Sequence, residues 1–384
     1  MSRARLLGRR FMRNYITSTA ALCLAAGGAH AGGIDRSGQS IAVLFEEGRY
    51  LEFSATSVSP DLTGESINPG LPNGNGSGDI AENYFRFGAA YKADINDTWS
   101  YAIIYDEPYG AETNYADGSG YFAQTSNANF TSRALTGLLQ YNAGSGFSVY
   151  GGLRLQSAEA DADVIFSNVF GPALNYTADA DVHYGIGYVA GAAYERPDIA
   201  LRVSLTYNSE IHHDVDTVEV LSGGAVTRET STNFSTPQSL NLEFQTGVAQ
   251  DTLMFGGVRW VDWSDFALDP SLYVDTVGQP LLSYEEDVIT YTLGIGHRIN
   301  ENWSVAGSIG YEENTGNLFT NLGPADGQES ISLAAIYSQG KYEITAGVRY
   351  IRIGDTTTAV QGNPAAEFNN NDVVAFGVKV GYRF

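Results

Sequence analysis

The C-terminal end of the chain, NDVVAFGVKVGYRF, alternates apolar residues with small or polar ones up to the last position. One side of an extended chain would carry Val374, Phe376, Val378, Val380, Tyr382 and Phe384. A period of two residues predicts a β-strand, because successive side chains of a strand point to opposite faces. An apolar face that continues to the last residue needs an apolar surface to cover it.

The same alternation recurs in fourteen segments, separated by links of two kinds. The segments begin near Tyr50, Tyr84, Trp99, Arg133, Phe147, Val182, Ile199, Ser239, Thr252, Asp287, Trp303, Ser330, Tyr342 and Asp372. Short links such as INDT, NAGSG and ERPD alternate with long ones at roughly 61–82, 108–130, 161–180, 213–235, 266–285, 313–328 and 354–371. Short turns at one rim and long loops at the other are typical of a bacterial outer-membrane barrel. A soluble β-sandwich is the alternative, but it does not explain this alternation of links.

The first 31 residues have the composition of a cleaved signal peptide. A basic start is followed by an apolar run over residues 15–28 and by the small-residue signal Ala29-His30-Ala31. The single cysteine, Cys23, lies in this segment, so the remainder of the chain offers no disulfide and no cysteine-based metal site. We therefore predict a signal peptide over residues 1–31 and export from the cytoplasm.

Charge and hydropathy narrow the choice of fold and partner. The whole chain has a formal net charge of -23, and the signal segment removes five arginines, which leaves about -28. Nucleic acid is therefore an unfavourable partner. After the signal segment no run of about 18 apolar residues occurs, so a membrane-spanning form has to be a closed barrel. The sequence predicts an all-β fold, a 14-stranded antiparallel transmembrane β-barrel over residues 49–384, in the bacterial outer membrane.

Residues 32–48, GGIDRSGQSIAVLFEEG, precede the first strand and lack a clean alternation. Barrels of eight strands are filled by side chains, while sixteen or more strands leave a water-filled channel. A barrel of intermediate size has room for a plug or a ligand. We predict that residues 32–48 form a short N-terminal lumenal plug, with a disordered periplasmic tail as the alternative.

Four stretches resemble the FadL and TodX type of outer-membrane transporter for long-chain fatty acids and aromatic hydrocarbons. They are KADINDTWSYAIIYDEPYGAETNY, HYGIGYVAGAAYERPDIALRVSLTYNSEIHHD, FSTPQSLNLEF followed by VRWVDWSDF, and EEDVITYTLGIGHRINENWSVAGSIGYEENTGN. The resemblance implies a fourteen-stranded barrel, an N-terminal hatch, and a lateral wall opening at a kink in the third strand. That kink would fall at Pro108, Tyr109 and Gly110, where the alternative is the start of an outer loop.

Two features depart from the family pattern. The hatch element Asn-Pro-Ala is missing before the first strand, and Asn363-Pro364-Ala365 lies instead in the last loop. Where fatty-acid members place basic residues on the fifth strand, this chain reads QSAEADAD. Glu159, Asp161 and Asp163 would repel a fatty-acid anion by about 1 kcal/mol per charge pair at 4 Å in water. A neutral hydrophobic ligand is therefore an open alternative.

Several residues are candidates for ligand binding. Arg154, Arg259 and Arg349 fall on inward positions near mid-barrel, where they would either meet a ligand head group or pair with lumenal acids. Phe166 and Phe170 belong to an unusually apolar loop, which suits either a binding site or packing over the barrel mouth. His212, His213 and Asp214 form a run in a predicted outer loop, and a solvated loop is the more common origin of such a run than a metal site. We predict no metal and no cofactor.

The resulting prediction is passive transport of hydrophobic molecules, with no enzymatic activity. Its expected partners are hydrophobic small molecules, outer-membrane lipid, lipopolysaccharide and the barrel insertion machinery. A general porin for small polar solutes is the first alternative, and it requires an open lumen. An outer-membrane lipid hydrolase is the second, and it requires a serine and histidine constellation, for which only His183 and His297 were expected on strands.

Overall fold

The computed structural model describes residues 34–384 apart from 68–74 and 167–173. The predicted signal peptide, residues 1–31, lies outside the described residues, and so does Phe170. Among the residues that are described, no helix is long and apolar enough to cross a bilayer.

Fourteen antiparallel strands form one closed sheet, as the alternation predicts. We number them β1 Tyr50–Asp61, β2 Tyr84–Asp94, β3 Trp99–Asp106 and Gly110–Asn114, β4 Asn127–Gly144, β5 Phe147–Phe166, β6 Leu174–Arg196, β7 Leu201–Asn208 and Ile211–Leu221, β8 Val226–Thr236 and Ser239–Ala249, β9 Thr252–Val261, β10 Val288–Arg298, β11 Trp303–Glu312, β12 Gln328–Gln339, β13 Tyr342–Ile353 and β14 Asp372–Arg383. Three strands, β3, β7 and β8, are each interrupted once and continue in the same direction.

The sheet closes where the last strand pairs with the first. β14 pairs with β1 from Tyr50 opposite Arg383 to Asp61 opposite Asp372, and β1 pairs with β2 on its other side. Closure leaves no strand edge with unpaired backbone groups at the seam, which is the requirement for a sheet surrounded by hydrocarbon.

The two faces of β14 differ in their exposure, as the alternation predicts. On the outer face Val374 and Phe376 are 44% and 54% exposed, whereas Val373 and Ala375 on the inner face are each 2% exposed. The outer faces of other strands are equally apolar, as at Phe53, Leu153, Ile186 and Leu333. The exposed apolar face of the last strand is thus part of a continuous apolar belt around the barrel, which suits lipid.

The prediction of long loops at 161–180 and 213–235 was wrong. β5 continues to Phe166 and β6 begins at Leu174, while β7 continues to Leu221 and β8 begins at Val226. These strands extend past the others at the rim that carries the long loops. The sequence does not predict the extension of β5 and β6, because alanines occupy their inward positions. Alternation of alanine with aspartate lacks the large apolar side chains that indicate a strand. His212 and His213, expected in a loop, lie in β7.

The loops carry smaller elements. Within the described part of the chain, the α-helix α1 spans Ser271–Val277, and single turns of 3-10 helix span Ala42–Phe45, Pro197–Ile199 and Ser222–Gly224. Short loop strands span Gly64–Ser66, Ala267–Leu268, Leu282–Ser283, Leu318–Phe319, Thr356–Val360 and Asn363–Phe368. The last of these contains the Asn-Pro-Ala sequence, far in the chain from residues 34–48. Most loops pack into two buried clusters that cover the outer end of the barrel.

Candidate functional site

The wall of the barrel is interrupted at the predicted kink of β3. The first half of β3 pairs with both β2 and β4, but the second half pairs with β4 alone, apart from a single bridge between Ala81 and Thr113. Residues 84–88 of β2 therefore have no ladder partner on that side. Pro108 contributes to the break because it has no N–H to donate. The strand resumes at Gly110, so these residues interrupt a strand and do not start an outer loop.

The N-terminal segment, residues 34–48, supplies the pairing that β2 does not. The backbone N–H of Arg36 donates to the Pro108 carbonyl over 2.7 Å, and the N–H of Gly110 donates to the Ile34 carbonyl over 2.9 Å. Asp35 and Tyr109 thus form an isolated antiparallel bridge. Residues 34–37 act as a short extra strand beside the broken part of β3.

The side chain of Arg36 occupies the space between β2 and β3. Its guanidinium lies 3.9 Å from the centre of the Tyr84 ring and 3.7 Å from the Glu112 carboxylate. A Cβ added to Gly110 would lie 2.6 Å from the guanidinium carbon. The backbone of Gly110 is not left-handed, so the glycine is needed for the close approach of Arg36.

Further contacts fix the N-terminal segment inside the barrel. Arg259 of β9 donates to the Asp35 carboxylate over 2.8 Å, and Ser239 of β8 donates to Gln39 over 2.8 Å. At the other end of the segment, Glu46 pairs with Arg383 of β14 over 2.8 Å. Between these ends the apolar side chains of Ile41, Val43, Leu44 and Phe45 pack against inward residues of β2 to β6.

The three predicted arginines are all buried and face inward, but they do not share one site. Arg154 donates from Nε to Thr136 over 2.8 Å. Arg259 is engaged with Asp35, Asn241 and Ser239, which is the pairing with a lumenal acid that was the alternative. Arg349 donates to Ser330 over 3.0 Å. Arg259 and Arg349 both line one cavity, the lumen cavity, which also touches Ser37 and Gly38.

A second cavity, the window cavity, lies at the break in β3 and has a volume of about 750 Å³. It extends from inward residues such as Glu52, Thr56 and Lys379 to Phe87, Tyr105 and Glu107 on the far side of the wall. Ser37 of the N-terminal segment lines it and donates to Asp106 over 2.6 Å. The cavity is therefore bounded on one side by the segment that fills the break.

A third cavity, the outer pocket, is apolar. Its walls are inward residues of β3 to β8, and its roof comes from the outer loops. The wall residues include Ala111, Ala128, Phe130, Ala160, Ala178, Ala180, Val215 and Phe234. The roof residues are Leu268, Pro270, Leu281, Leu282 and Leu322. A pocket lined mainly by apolar side chains is the usual form of a small-molecule site.

Glu219 of β7 holds the roof in place. It is fully buried, and its carboxylate accepts hydrogen bonds from the backbone N–H groups of Leu272 and Tyr273, at the start of α1, over 3.2 and 3.0 Å. The hydroxyls of Tyr176 and Thr230 donate to it over 2.8 Å. Burial raises the pKa of the Tyr273 and Tyr284 hydroxyls in the roof, so both rings stay neutral.

Several other predicted features lie outside the outer pocket, although Asp161 borders it. Phe166 packs against Phe122, with ring centres 6.0 Å apart. The outward face of β5 carries the three acids that we expected to repel an anion: Glu159 contacts Arg133, while Asp161 and Asp163 accept from Asn129 and Asn127. Asp161 and Asn129 are among the residues that line the outer pocket, so the expected repulsion of an anion there stays a prediction. Among the described residues, no group of three or more His, Cys, Asp or Glu has the arrangement of a metal site.

Sequence reasoning missed Asp35, Arg36, Glu219 and Phe234. Asp35 and Arg36 stand in a segment without alternation, and Glu219 and Phe234 stand in a stretch assigned to a loop. A signal did exist for Glu219, because an acid at an inward position of an extended β7 would require several donors.

Comparison with known proteins agrees with this architecture. A family model described as outer membrane protein transport protein (OMPP1/FadL/TodX) matches residues 52–384. A Pseudomonas aeruginosa FadL homologue has a TM-score of 0.75 at 15% identity, covering 94% of this chain and 97% of that chain. The P. putida toluene transporter TodX has a TM-score of 0.67 at 12% identity, covering 94% and 99%. The Ralstonia pickettii toluene transporter TbuX has a TM-score of 0.64 at 14% identity, covering 94% and 98%.

The identities to these structures are low, so they show a shared fold, whereas the family model covers nearly all of the barrel. A search of curated proteins found no match. The closed barrel with its apolar belt is the form that the outer membrane requires. The chain therefore belongs to the FadL/TodX family of bacterial outer membrane transport proteins.

Proposed function

We propose that this protein is a passive route for hydrophobic molecules, such as hydrocarbons or fatty acids, across the outer membrane. The ligand binds in the outer pocket, moves inward past the N-terminal segment, and leaves sideways through the break in β3. The driving force is the transfer of apolar surface out of water, with removal of the ligand on the inner side. No nucleotide or cofactor takes part in this route.

The observation that carries the proposal is that residues 34–37, and not β2, pair with the broken part of β3. A break filled by a neighbouring strand would be a permanent wall. A break filled by a separate segment becomes an opening once that segment moves. We propose that residues 32–48 are a plug and that Pro108, Tyr109 and Gly110 form the rim of the opening.

The roles of the predicted arginines follow from their contacts. Arg259 holds the plug through Asp35, and Arg154 and Arg349 offer polar contacts on the inner wall during passage. Phe166 supports the outer loops through Phe122. Lipopolysaccharide and outer-membrane lipid surround the barrel in this proposal, and the insertion machinery recognises its last strand.

A general porin agrees less well with the interior. A large apolar cluster joins Ile34 and Tyr109 to Trp263, Phe266 and Tyr284, and the Tyr109 hydroxyl donates to the Pro237 carbonyl of the β8 break over 3.2 Å. These contacts cross the lumen below the outer pocket. A continuous water path for polar solutes would have to displace them.

A substitution at Gly110 tests the lateral route. Gly110→Val places a side chain where the Arg36 guanidinium lies, and we expect uptake of a hydrophobic substrate by whole cells to fall about tenfold or more. Gly137→Val is the matched control, because a Cβ at Gly137 meets nothing within 4 Å. Both variants should reach the outer membrane as folded barrels. Equal uptake by the Gly110→Val and Gly137→Val strains would remove the break in β3 from the route.

A further inference from the structure

The barrel wall has a second gap, between β8 and β9. Their ladder runs from Ser239 opposite Val261 to Ala249 opposite Thr252. Beyond Ser239 the outer half of β8 pairs only with β7, while β9 ends and its chain turns into the loop that carries α1. A cavity of about 840 Å³ lies in this gap, and we name it the notch.

One aromatic side chain borders both the notch and the outer pocket. Phe234 lines both cavities. Its ring stacks on His213 with centres 5.1 Å apart, and it meets the edges of Phe130 and Phe266 at 5.8 and 6.2 Å. Aromatic contacts of this kind are weak one by one, so the ring can turn without breaking a hydrogen bond.

The notch differs from the outer pocket in its charge. Its lining holds four acids, Glu210, Asp262, Asp265 and Asp269, and among the described residues that line it there is no lysine or arginine. Glu210, Asp265 and Asp269 are exposed. Negative charges at the mouth of a passage lower the local concentration of an approaching anion and reduce its association rate. Salt weakens this effect.

We infer that the notch is the entrance to the outer pocket, that Phe234 is its door, and that the acids at its mouth admit neutral hydrophobic molecules in preference to anionic ones. This inference rests on the proposed function, because it assigns an entrance and a selectivity to the same pocket.

The test measures the rates at which two probes associate with the purified barrel in detergent, and naphthalene fluorescence follows the binding. The probes, neutral 2-ethylnaphthalene and anionic 2-naphthoate, are similar in size and shape. Replacing three notch acids, by Glu210→Gln, Asp265→Asn and Asp269→Asn together, should raise the rate for 2-naphthoate about tenfold at low salt and leave 2-ethylnaphthalene unchanged. The matched control removes three exposed acids elsewhere on the outer loops, by Asp117→Asn, Glu313→Gln and Glu367→Gln. An equal response of 2-naphthoate to both triple variants would overturn the inference.

Variants of the door give a second readout. Phe234→Ala should raise the association and dissociation rates for 2-ethylnaphthalene about fivefold, with a smaller change in the equilibrium constant. Phe122→Ala removes a buried outer-loop aromatic that borders neither cavity, and it should leave the rates unchanged. Unchanged rates in Phe234→Ala would exclude the door.

Failure of the entrance and failure of the proposed function give different results. Ala160→Phe fills the outer pocket, so it should abolish equilibrium binding of 2-ethylnaphthalene. If Ala160→Phe abolishes binding while the notch variants behave as wild type, the outer pocket is the binding site but the notch is not its entrance. If the wild-type protein does not bind 2-ethylnaphthalene at all, the proposed pocket itself is wrong.

Discussion

At the scale of single residues, Asp35 and Arg259 connect the N-terminal segment to the wall through a buried ion pair of 2.6 Å. Removing one member of a buried pair leaves its partner in an unfavourable environment, which costs about 3–5 kcal/mol. Arg259→Met should therefore weaken docking of residues 34–48 by about that amount. Hydrogen exchange of the backbone amides of residues 34–48, measured by mass spectrometry, gives the change in docking free energy.

The double variant Asp35→Asn with Arg259→Met serves as the control for that prediction. Because it leaves no charge behind, it should recover at least half of the lost protection. If the losses of protection caused by Asp35→Asn and by Arg259→Met simply add in the double variant, the ion pair does not hold the segment.

Glu219 makes a second prediction at this scale. Glu219→Gln replaces one acceptor oxygen by a donor, so one of the α1 amides at Leu272 or Tyr273 loses its partner. We expect a cost of about 1–3 kcal/mol and correspondingly faster exchange of those two amides. Arg228→Gln removes an exposed ion pair to Asp275 on the same helix and should cost less than about 1 kcal/mol. Similar exchange of α1 in the two variants would contradict the role of Glu219.

Individual site residues were only partly predictable from the sequence. The inward positions of Arg154, Arg259 and Arg349 followed from strand alternation, which is a local property. The partners of Arg36 and Asp35 did not follow, because Tyr84, Gly110 and Arg259 are distant in the chain and meet only after the barrel closes. Proline and glycine in PYG marked the break, but not the segment that fills it.

At the scale of strands, the alternation predicts different tolerance of charge on the two faces. Phe376→Arg puts a charge on the outer face of β14 and should destabilise the barrel in lipid vesicles by about 2–4 kcal/mol. Ser332→Arg on β12 puts the same charge at the lumen cavity, beside the hydroxyls of Ser308 and Ser330, and should cost much less. Urea titration in vesicles measures both. Equal costs would mean that the outer face of β14 does not meet hydrocarbon.

The strands also show where pattern reading from sequence ends. A segment such as β14, whose 12 residues include large alternating apolar side chains, is readily recognised as a strand from its sequence. β5 and β6 continue through alanines that leave the space of the outer pocket, and the small side chains weaken the apolar signal at the place where the pocket forms. The site was hard to predict because a cavity requires small residues where a core would have large ones.

At the scale of the whole molecule, the proposed route treats the barrel as a fixed wall and residues 34–48 as its movable part. The break in β3 and the break in β8 face each other across the lumen, joined by the hydrogen bond from Tyr109 to Pro237. In the proposed route, a ligand that leaves the outer pocket meets this layer next. The proposal requires the N-terminal segment to move while the fourteen strands stay unchanged.

A reversible cross-link tests that dependence most directly. Ser37→Cys with Asp106→Cys places thiols at a contact of 2.6 Å, and the only natural cysteine, Cys23, lies in the predicted signal peptide. A short bis-methanethiosulfonate reagent should join the two thiols, reduce hydrocarbon uptake at least tenfold, and release it fully after reductant, while each single cysteine variant stays unaffected. Cross-linked protein that transports as fast as the reduced protein would contradict the account.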